Sequence, residues 1–313
     1  MNQAERTVDP TGKPIADGDH DRTPPTLADQ LKSLPLYPLP HHAISRLVHR
    51  LMRIRGAWFR RPFTRWFVKR FRVDMREALE PDPLAYASFN SFFTRALHPE
   101  ARPLPDAAEA VCSPADGEIS AWGAVRDGQI IQAKGHRYTL RSLLASAEGD
   151  DDGLDGGQFM TVYLSPRDYH RVHMPLDGEL IEMRHVPGRL FSVGRHTVRT
   201  IPAVFSRNER VVCLFQGAAG RFAVVLVGAI NVGSIETAWA GEITPPRGHR
   251  VQRWTYGPGA PRLARGDELG RFNMGSTAIV VFAPGLVELD PAQRCGDKVL
   301  VRQTIGRLAT ASV

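Results

Sequence analysis

Three stretches of this 313-residue chain carry side chains whose types and spacing can do chemistry. The string Tyr163-Leu164-Ser165-Pro166-Arg167-Asp168-Tyr169-His170-Arg171-Val172-His173-Met174-Pro175 sets two histidines three apart, beside Arg, Asp and Tyr. An imidazole titrates near neutral pH, so either ring can serve as general base or acid. The pair can also ligate a metal, but zinc needs a third protein ligand and none stands at a standard spacing, so no metal site is expected. Structural or solvated histidines are the plain alternative. Pro114-Ala115-Asp116-Gly117-Glu118-Ile119 offers a carboxylate at an Asp-Gly step, which alone reads as a turn entering a strand.

The third stretch is Gly270-Arg271-Phe272-Asn273-Met274-Gly275-Ser276-Thr277, followed by an apolar run over 278–282. It is not a G-x-S-x-G elbow, because position 278 is Ala. A Gly-Ser-Thr step at a strand start is commonly a tight turn. It has a second chemical reading. Gly275 permits backbone angles closed to other residues. The Ser276 hydroxyl is placed to attack the carbonyl of its own preceding peptide, turning the amide into an ester. Elimination of that ester and hydrolysis of the dehydroalanine leave a pyruvoyl group at a new N-terminus. The step needs a base and a carboxylate to orient it. Asp116, His173 and Ser276 can fill those roles if the fold brings them together.

The elements that must position these residues fall into three regions. Residues 1–40 are rich in Pro, Asp, Thr and Gly and are expected to be a disordered extension. The prolines of Pro35-Leu36-Tyr37-Pro38-Leu39-Pro40 argue against helix there. In 41–107, Ile44, Leu47, Val48, Leu51 and Met52 recur at helical spacing. Pro62 is expected to break that helical pattern. A second stripe follows, Phe63, Trp66, Phe67 and Phe71, interleaved with Arg65, Lys69 and Arg70. A short helix is expected from Ser88 to Arg95. From 108 to 313 short β-branched runs alternate with Gly, Pro and Asp turns, at 117–123, 159–164, 211–215, 222–227, 231–237 and 277–282. The fold class is therefore α+β, predominantly β, with a basic helical N-terminal region.

The net charge is +7, from 40 Lys and Arg against 33 Asp and Glu. Residues 41–76 hold eleven basic residues and one acidic residue, Asp74, so that segment alone carries 11 − 1 = +10. Apolar residues beside such charge describe a helix lying in an anionic membrane surface. No helix-turn-helix, zinc-finger or RNP-like pattern accompanies the charge, so no nucleic-acid partner is expected. No apolar run of 18 or more residues exists, and a secretory leader is not expected. Cys112, Cys213 and Cys295 lie far apart, which excludes a disulfide scaffold and suits a reducing compartment.

Taken together, these strings resemble the pyruvoyl-dependent phosphatidylserine decarboxylase family of bacterial type. The likeness spans roughly residues 40–290. It rests on Phe89-Asn90-Ser91-Phe92-Phe93-Thr94-Arg95, Ala115-Asp116-Gly117, Gln132-Ala133-Lys134-Gly135-His136, the histidine string and Phe205-Ser206-Arg207-Asn208-Glu209-Arg210. It continues through Val227-Gly228-Ala229, Gly233-Ser234-Ile235-Glu236 and Gly275-Ser276-Thr277. Met274 stands where many members carry Leu, a near-isosteric change.

The resemblance implies a proenzyme that cuts itself at Gly275–Ser276 into a large β chain, 1–275, and a small α chain, 276–313. Ser276 becomes the covalent pyruvoyl cofactor and Schiff-base site. Asp116, His173 and Ser276 match the family's charge relay for cleavage, leaving His170 as the proton donor in decarboxylation. Phosphatidylserine is the implied substrate and phosphatidylethanolamine the product. The implied core is a hybrid of β-barrel and sandwich. The implied location is the cytoplasmic face of the cell membrane, held peripherally, with a homo-oligomer left open. Three rival readings are a serine hydrolase using Asp116, His173 and Ser276, a metal enzyme using His170 and His173, and a non-enzymatic membrane-binding β domain.

Overall fold

In the computed structural model, residues 18–150, 152–230, 233–244 and 250–309 are described. The run that follows Ser276, strand Thr277–Phe282, is buried along its whole length at the middle of a ten-stranded sheet. Gln158–Tyr163 pairs with it on one side and Arg221–Val227 on the other, both antiparallel. Thr277 stands opposite both Tyr163 and Val227. That register fixes the height at which Ser276 enters the sheet. β-Branched and aromatic side chains suit a pleated surface packed on both faces, which is why this stretch of sequence reads as a continuous apolar run.

The sheet extends through Arg210–Gln216, Gly178–Val186 and Gln252–Thr255 on one side and through Gly117–Ala124 on the other. Smaller antiparallel sheets flank it. One of them places Arg171–His173 beside Glu268–Phe272, so the histidine string runs along the segment that ends at Gly275. The chain is a predominantly β α+β protein, its sheets are open, and no closed barrel occurs among the described residues.

Gly117 shows why the Asp-Gly step is needed. A Cβ there would lie 2.3 Å from the Tyr163 carbonyl oxygen, so only glycine allows the two strands to cross at that point.

The N-terminal region departs from expectation in two ways. Part of the presumed disordered extension is ordered: Asp19–His20 pairs with Gly117–Ala124, and Leu27–Ser33 is a helix capped by Thr26 and Asp29 in a reciprocal capping box. Asp21 accepts a 2.6 Å hydrogen bond from Arg199, which anchors the segment to the body. A 3₁₀ turn, Leu34–Leu36, takes Pro35 in its first turn, where the missing N–H costs nothing. Residues 1–17 lie outside the described residues.

Helix Ala57–Phe71 also runs straight through Pro62. The interruption falls earlier, between helix His41–Met52 and Gly56, the N-cap of the next helix. Pro62 removes one backbone hydrogen bond in an exposed second turn. Aromatic packing outweighs that loss: Phe63 and Phe67 lie 4.7 and 4.9 Å, ring to ring, from the buried Phe89. These rings, with Met52, Phe92 and Phe93, form a small core separate from the main one, and Met274 packs against it.

Candidate active site

Ser276 is fully buried, and its Oγ has no hydrogen-bond partner among the described residues. Its carbonyl accepts a 2.9 Å bond from the Leu164 N–H, which ties it to the strand bearing Tyr163. An unpaired buried hydroxyl costs about 1–3 kcal/mol, and the Oγ1 of the adjacent Thr277 is unpaired as well. The preceding residue faces a histidine. A Cβ built on Gly275 would meet His170 Nε2 at 3.4 Å and the Leu164 carbonyl at 3.5 Å. Gly275 does not occupy the left-handed region, and a Cβ there would make ordinary van der Waals contact with the His170 ring, so neither backbone angle nor space by itself demands glycine at this position.

His170 is fully buried, with its ring 4.0 Å from that of Phe93. Its Nδ1 lies 2.8 Å from the Asp168 carbonyl, and Nε2 has no partner. A carbonyl only accepts, so Nδ1 carries the proton and Nε2 presents a bare lone pair. Burial is the main cause that pushes the pKa of His170 down to about 3. The ring is neutral, with a free lone pair at Nε2, beside the peptide that joins Gly275 to Ser276.

His173 is held differently. Its Nδ1 donates to the Gly266 carbonyl at 2.8 Å, and its Nε2 accepts from the Tyr169 hydroxyl at 3.1 Å. Burial lowers its pKa as well. Burial also pushes the Tyr169 phenol up to about 12, so that hydroxyl stays protonated and donates. Asp116 is buried and saturated. It accepts from Arg102 Nε at 3.0 Å and Nη2 at 2.5 Å, and from the Val301 N–H at 2.7 Å.

The structure brings the Asp116 loop to the His173 strand through a 2.8 Å bond from the His173 N–H to the Pro114 carbonyl. It forms no hydrogen bond between Asp116 and His173, or from either to Ser276. The partners in their place are Arg102, Tyr169, Gly266 and Val301. Tyr169 stood inside the histidine string, whereas nothing local in the sequence marked Arg102 or Val301. No group of three or more His, Cys, Asp or Glu side chains able to hold a metal occurs among the described residues.

Gly275 and Met274 open on a cavity of about 390 Å³. Its walls are mostly apolar, and Val48, Met52, Phe63 and Trp66 bring helices His41–Met52 and Ala57–Phe71 to it. No helix among the described residues is long and apolar enough to cross a membrane.

With this geometry in place, comparison with known proteins gives a consistent result. The family model described as phosphatidylserine decarboxylase matches residues 89–307. The chain belongs to the phosphatidylserine decarboxylase family. A second model, described as PSD, matches residues 31–72, so the helical region that walls the cavity is also shared. A phosphatidylserine decarboxylase proenzyme of Alkalilimnicola ehrlichii is 58% identical over 262 residues, 83% of this chain and 91% of that protein. One from Bordetella avium is 52% identical over 263 residues, 84% of this chain and 89% of its own. One from Pseudomonas fluorescens is 48% identical over 283 residues, 90% of this chain and 99% of its own. Phosphatidylserine decarboxylases are carboxy-lyases, and the family resemblance read from the sequence strings is borne out.

Proposed function

We propose that the chain decarboxylates phosphatidylserine to phosphatidylethanolamine, using a pyruvoyl group made from its own Ser276. The observation that carries this reading is the buried, unpartnered Ser276 Oγ, one residue beyond the Gly275 that lines an apolar cavity, with the bare His170 Nε2 against Gly275. A serine that must attack its own peptide and then vanish as a hydroxyl has no use for a permanent hydrogen bond.

Self-cleavage is assigned to Asp116, His173 and Ser276. A base takes the Oγ proton, Oγ bonds to the Gly275 carbonyl carbon, and the C–N bond breaks as the Ser276 nitrogen gains a proton. Loss of the Ser276 Cα proton expels the Gly275 carboxylate, and water then replaces nitrogen as ammonia. His173 has the tautomer this needs, since Nδ1–H is committed to Gly266 and Nε2 accepts. To act, its Nε2 must exchange the Tyr169 hydroxyl for the Ser276 proton.

A pyruvoyl group supplies a ketone for the substrate amine and a sink for the electrons left by carbon dioxide. His170 moves a proton. Its unpartnered Nε2 is the atom through which that proton is returned to the substrate α-carbon. The apolar walls seat acyl chains and exclude water. Eight exposed basic residues, Arg46, Arg50, Arg55, Arg61, Arg65, Lys69, Arg70 and Arg72, lie on the same two helices and the turns that follow them. With exposed Leu47, Trp58 and Trp66 they favour an anionic bilayer as the docking surface, on the cytoplasmic side.

Intact mass and activity of the purified protein test the whole reading. Two chains split between 275 and 276, the small one blocked at its N-terminus, are expected, with carbon dioxide released from phosphatidylserine. Ser276→Ala is expected to stay one chain and be inactive. An active single chain would return the reading to the serine hydrolase. A split chain without decarboxylase activity would retain the cleavage and reject the substrate.

A further inference from the structure

A second cavity, of about 410 Å³, lies on the other side of the segment leading to Gly275 and shares no lining residue with the first. Three guanidiniums face it, those of Arg95, Arg171 and Arg271. Arg171 and Arg271 stand directly opposite each other on paired antiparallel strands. Like charges in that position repel, so the arrangement requires compensation. Part of it comes from the protein: Arg171 Nη1 donates to Glu268 at 2.8 Å and Arg271 Nε to Glu236 at 2.6 Å.

Arg95 has no such partner. It is buried at 4% exposure, its guanidinium lies 5.6 Å from the centroid of the Phe92 ring, and it forms no ion pair among the described residues. Its Nη2 donates to the Arg167 carbonyl at 3.2 Å, and its Nε has no acceptor. Two acidic residues also line the cavity, Glu80 and Glu236; Glu236 accepts from Arg271 and from Asn273 Nδ2 at 2.8 Å, and neither is ion-paired with Arg95 among the described residues. Buried cations without a counter-ion are rare because desolvation disfavours them.

We propose that this cavity is a binding site for a tetrahedral oxyanion of the phosphate class, bridging Arg95 to the Arg171–Arg271 pair. Guanidinium forks match phosphate oxygens in geometry. The site joins the strand that carries His173 to the strand that runs to Gly275, so occupancy clamps the frame of the active site without touching its reacting atoms. It stands apart from the decarboxylase reading and is measured without turnover. The phosphate can belong to a free ion or to the headgroup of an anionic phospholipid.

Ser91 lines the cavity, is exposed, and sits at the third position of helix Phe89–Phe93, whose N-cap is Ser88. A glutamate there completes a capping box, so Ser91→Glu leaves the helix intact while placing a carboxylate among the guanidiniums. The experiment is thermal unfolding of the purified protein, wild type against Ser91→Glu, titrated with inorganic phosphate in place of chloride at fixed ionic strength. A parallel titration uses short-chain phosphatidylglycerol below its micelle concentration. Near tenfold excess over the dissociation constant the wild-type midpoint is expected to rise by about 2–5 °C, and the variant's to stay level. A response to phosphate identifies the free ion as sufficient. A response to phosphatidylglycerol alone, lost in Ser91→Glu, identifies the lipid headgroup. Equal responses of the two proteins, or none in the wild type to either ligand, overturn the proposal.

Discussion

Around strand Thr277–Phe282 every side chain is buried, and the strands on both sides pair over the full run. In helix Ala57–Phe71 only Thr64 and Phe67 are buried, while Trp58 is 77% and Trp66 54% exposed. The first region surrenders all its apolar surface to the interior, whereas the second holds much of its own back. The two meet at Met274, which packs on the aromatic cluster of the helices one residue before Gly275. The difference teaches where precision is needed. On the proposed function Ser276 and His170 are the groups that need precise placement, and both are fully buried. On the proposed function a lipid enters and leaves, and the wall of the cavity comes from helices that keep Leu47, Trp58 and Trp66 exposed.

The largest expected effect tests the rigid side. His170→Ala is expected to leave the Gly275–Ser276 cut intact and to lower kcat by about 10²–10⁴, the range for losing a positioned acid–base group. His173→Ala is expected to leave the chain uncut on a denaturing gel. If the two variants exchange these behaviours, the histidine roles exchange with them.

Acidification probes the same region. His170 and His173 both have folded pKa values below the unfolded value near 6.5. Above about pH 6.5 both are neutral folded or unfolded and stability is unaffected by them. As pH falls below that, the unfolded chain binds protons that the folded one refuses, and each histidine costs up to about 1.4 kcal/mol per pH unit until its folded pKa is reached. For His170 that window runs down to about pH 3. Urea midpoints between pH 7 and 5 are expected to fall, and His170→Gln to flatten the slope. An equal slope in that variant would place the titration elsewhere.

On the helical side, Arg61→Ala combined with Arg65→Ala is expected to weaken binding to phosphatidylglycerol vesicles about 20–30-fold at low salt. That follows from ~1 kcal/mol per basic residue at the surface. Activity on detergent-dispersed substrate is expected to hold. Unchanged vesicle binding would move the membrane face away from Ala57–Phe71. The smallest effect is that of Thr26→Ala, which removes the cap of helix Leu27–Ser33 and is expected to cost about 1 kcal/mol in thermal unfolding without changing kcat.

The central strands were legible in the sequence, whereas Gly178–Val186 and Glu268–Phe272, which carry more polar residues, were not among the runs read from it. The run 277–282 coincides with strand Thr277–Phe282, and 222–227, 211–215 and 159–164 fall within one residue of strands at each end. Of the run 231–237, strand Ile235–Thr237 is present, and residues 231 and 232 lie outside the described residues. The errors concentrate in the N-terminal region. Pro62 inside a helix and an ordered segment from 18 to 36 are both decided by contacts with residues far along the chain, Phe89 in one case and Arg199 in the other.

The sequence by itself determined the chemistry that is available: a Gly275–Ser276 peptide at a strand entrance, two histidines on one short string, an acidic step at Asp116 and a basic, aromatic helical stretch. These are local patterns, and local periodicity and residue type suffice to read them. Only the tertiary structure decided which histidine faces Gly275, that Tyr169 and Gly266 hold the other, and that Asp116 rests on Arg102 and on Val301, 185 residues further along. Hydrogen bonds between segments so distant depend on sheet register and on which buried polar groups find partners, and no local pattern carries that information.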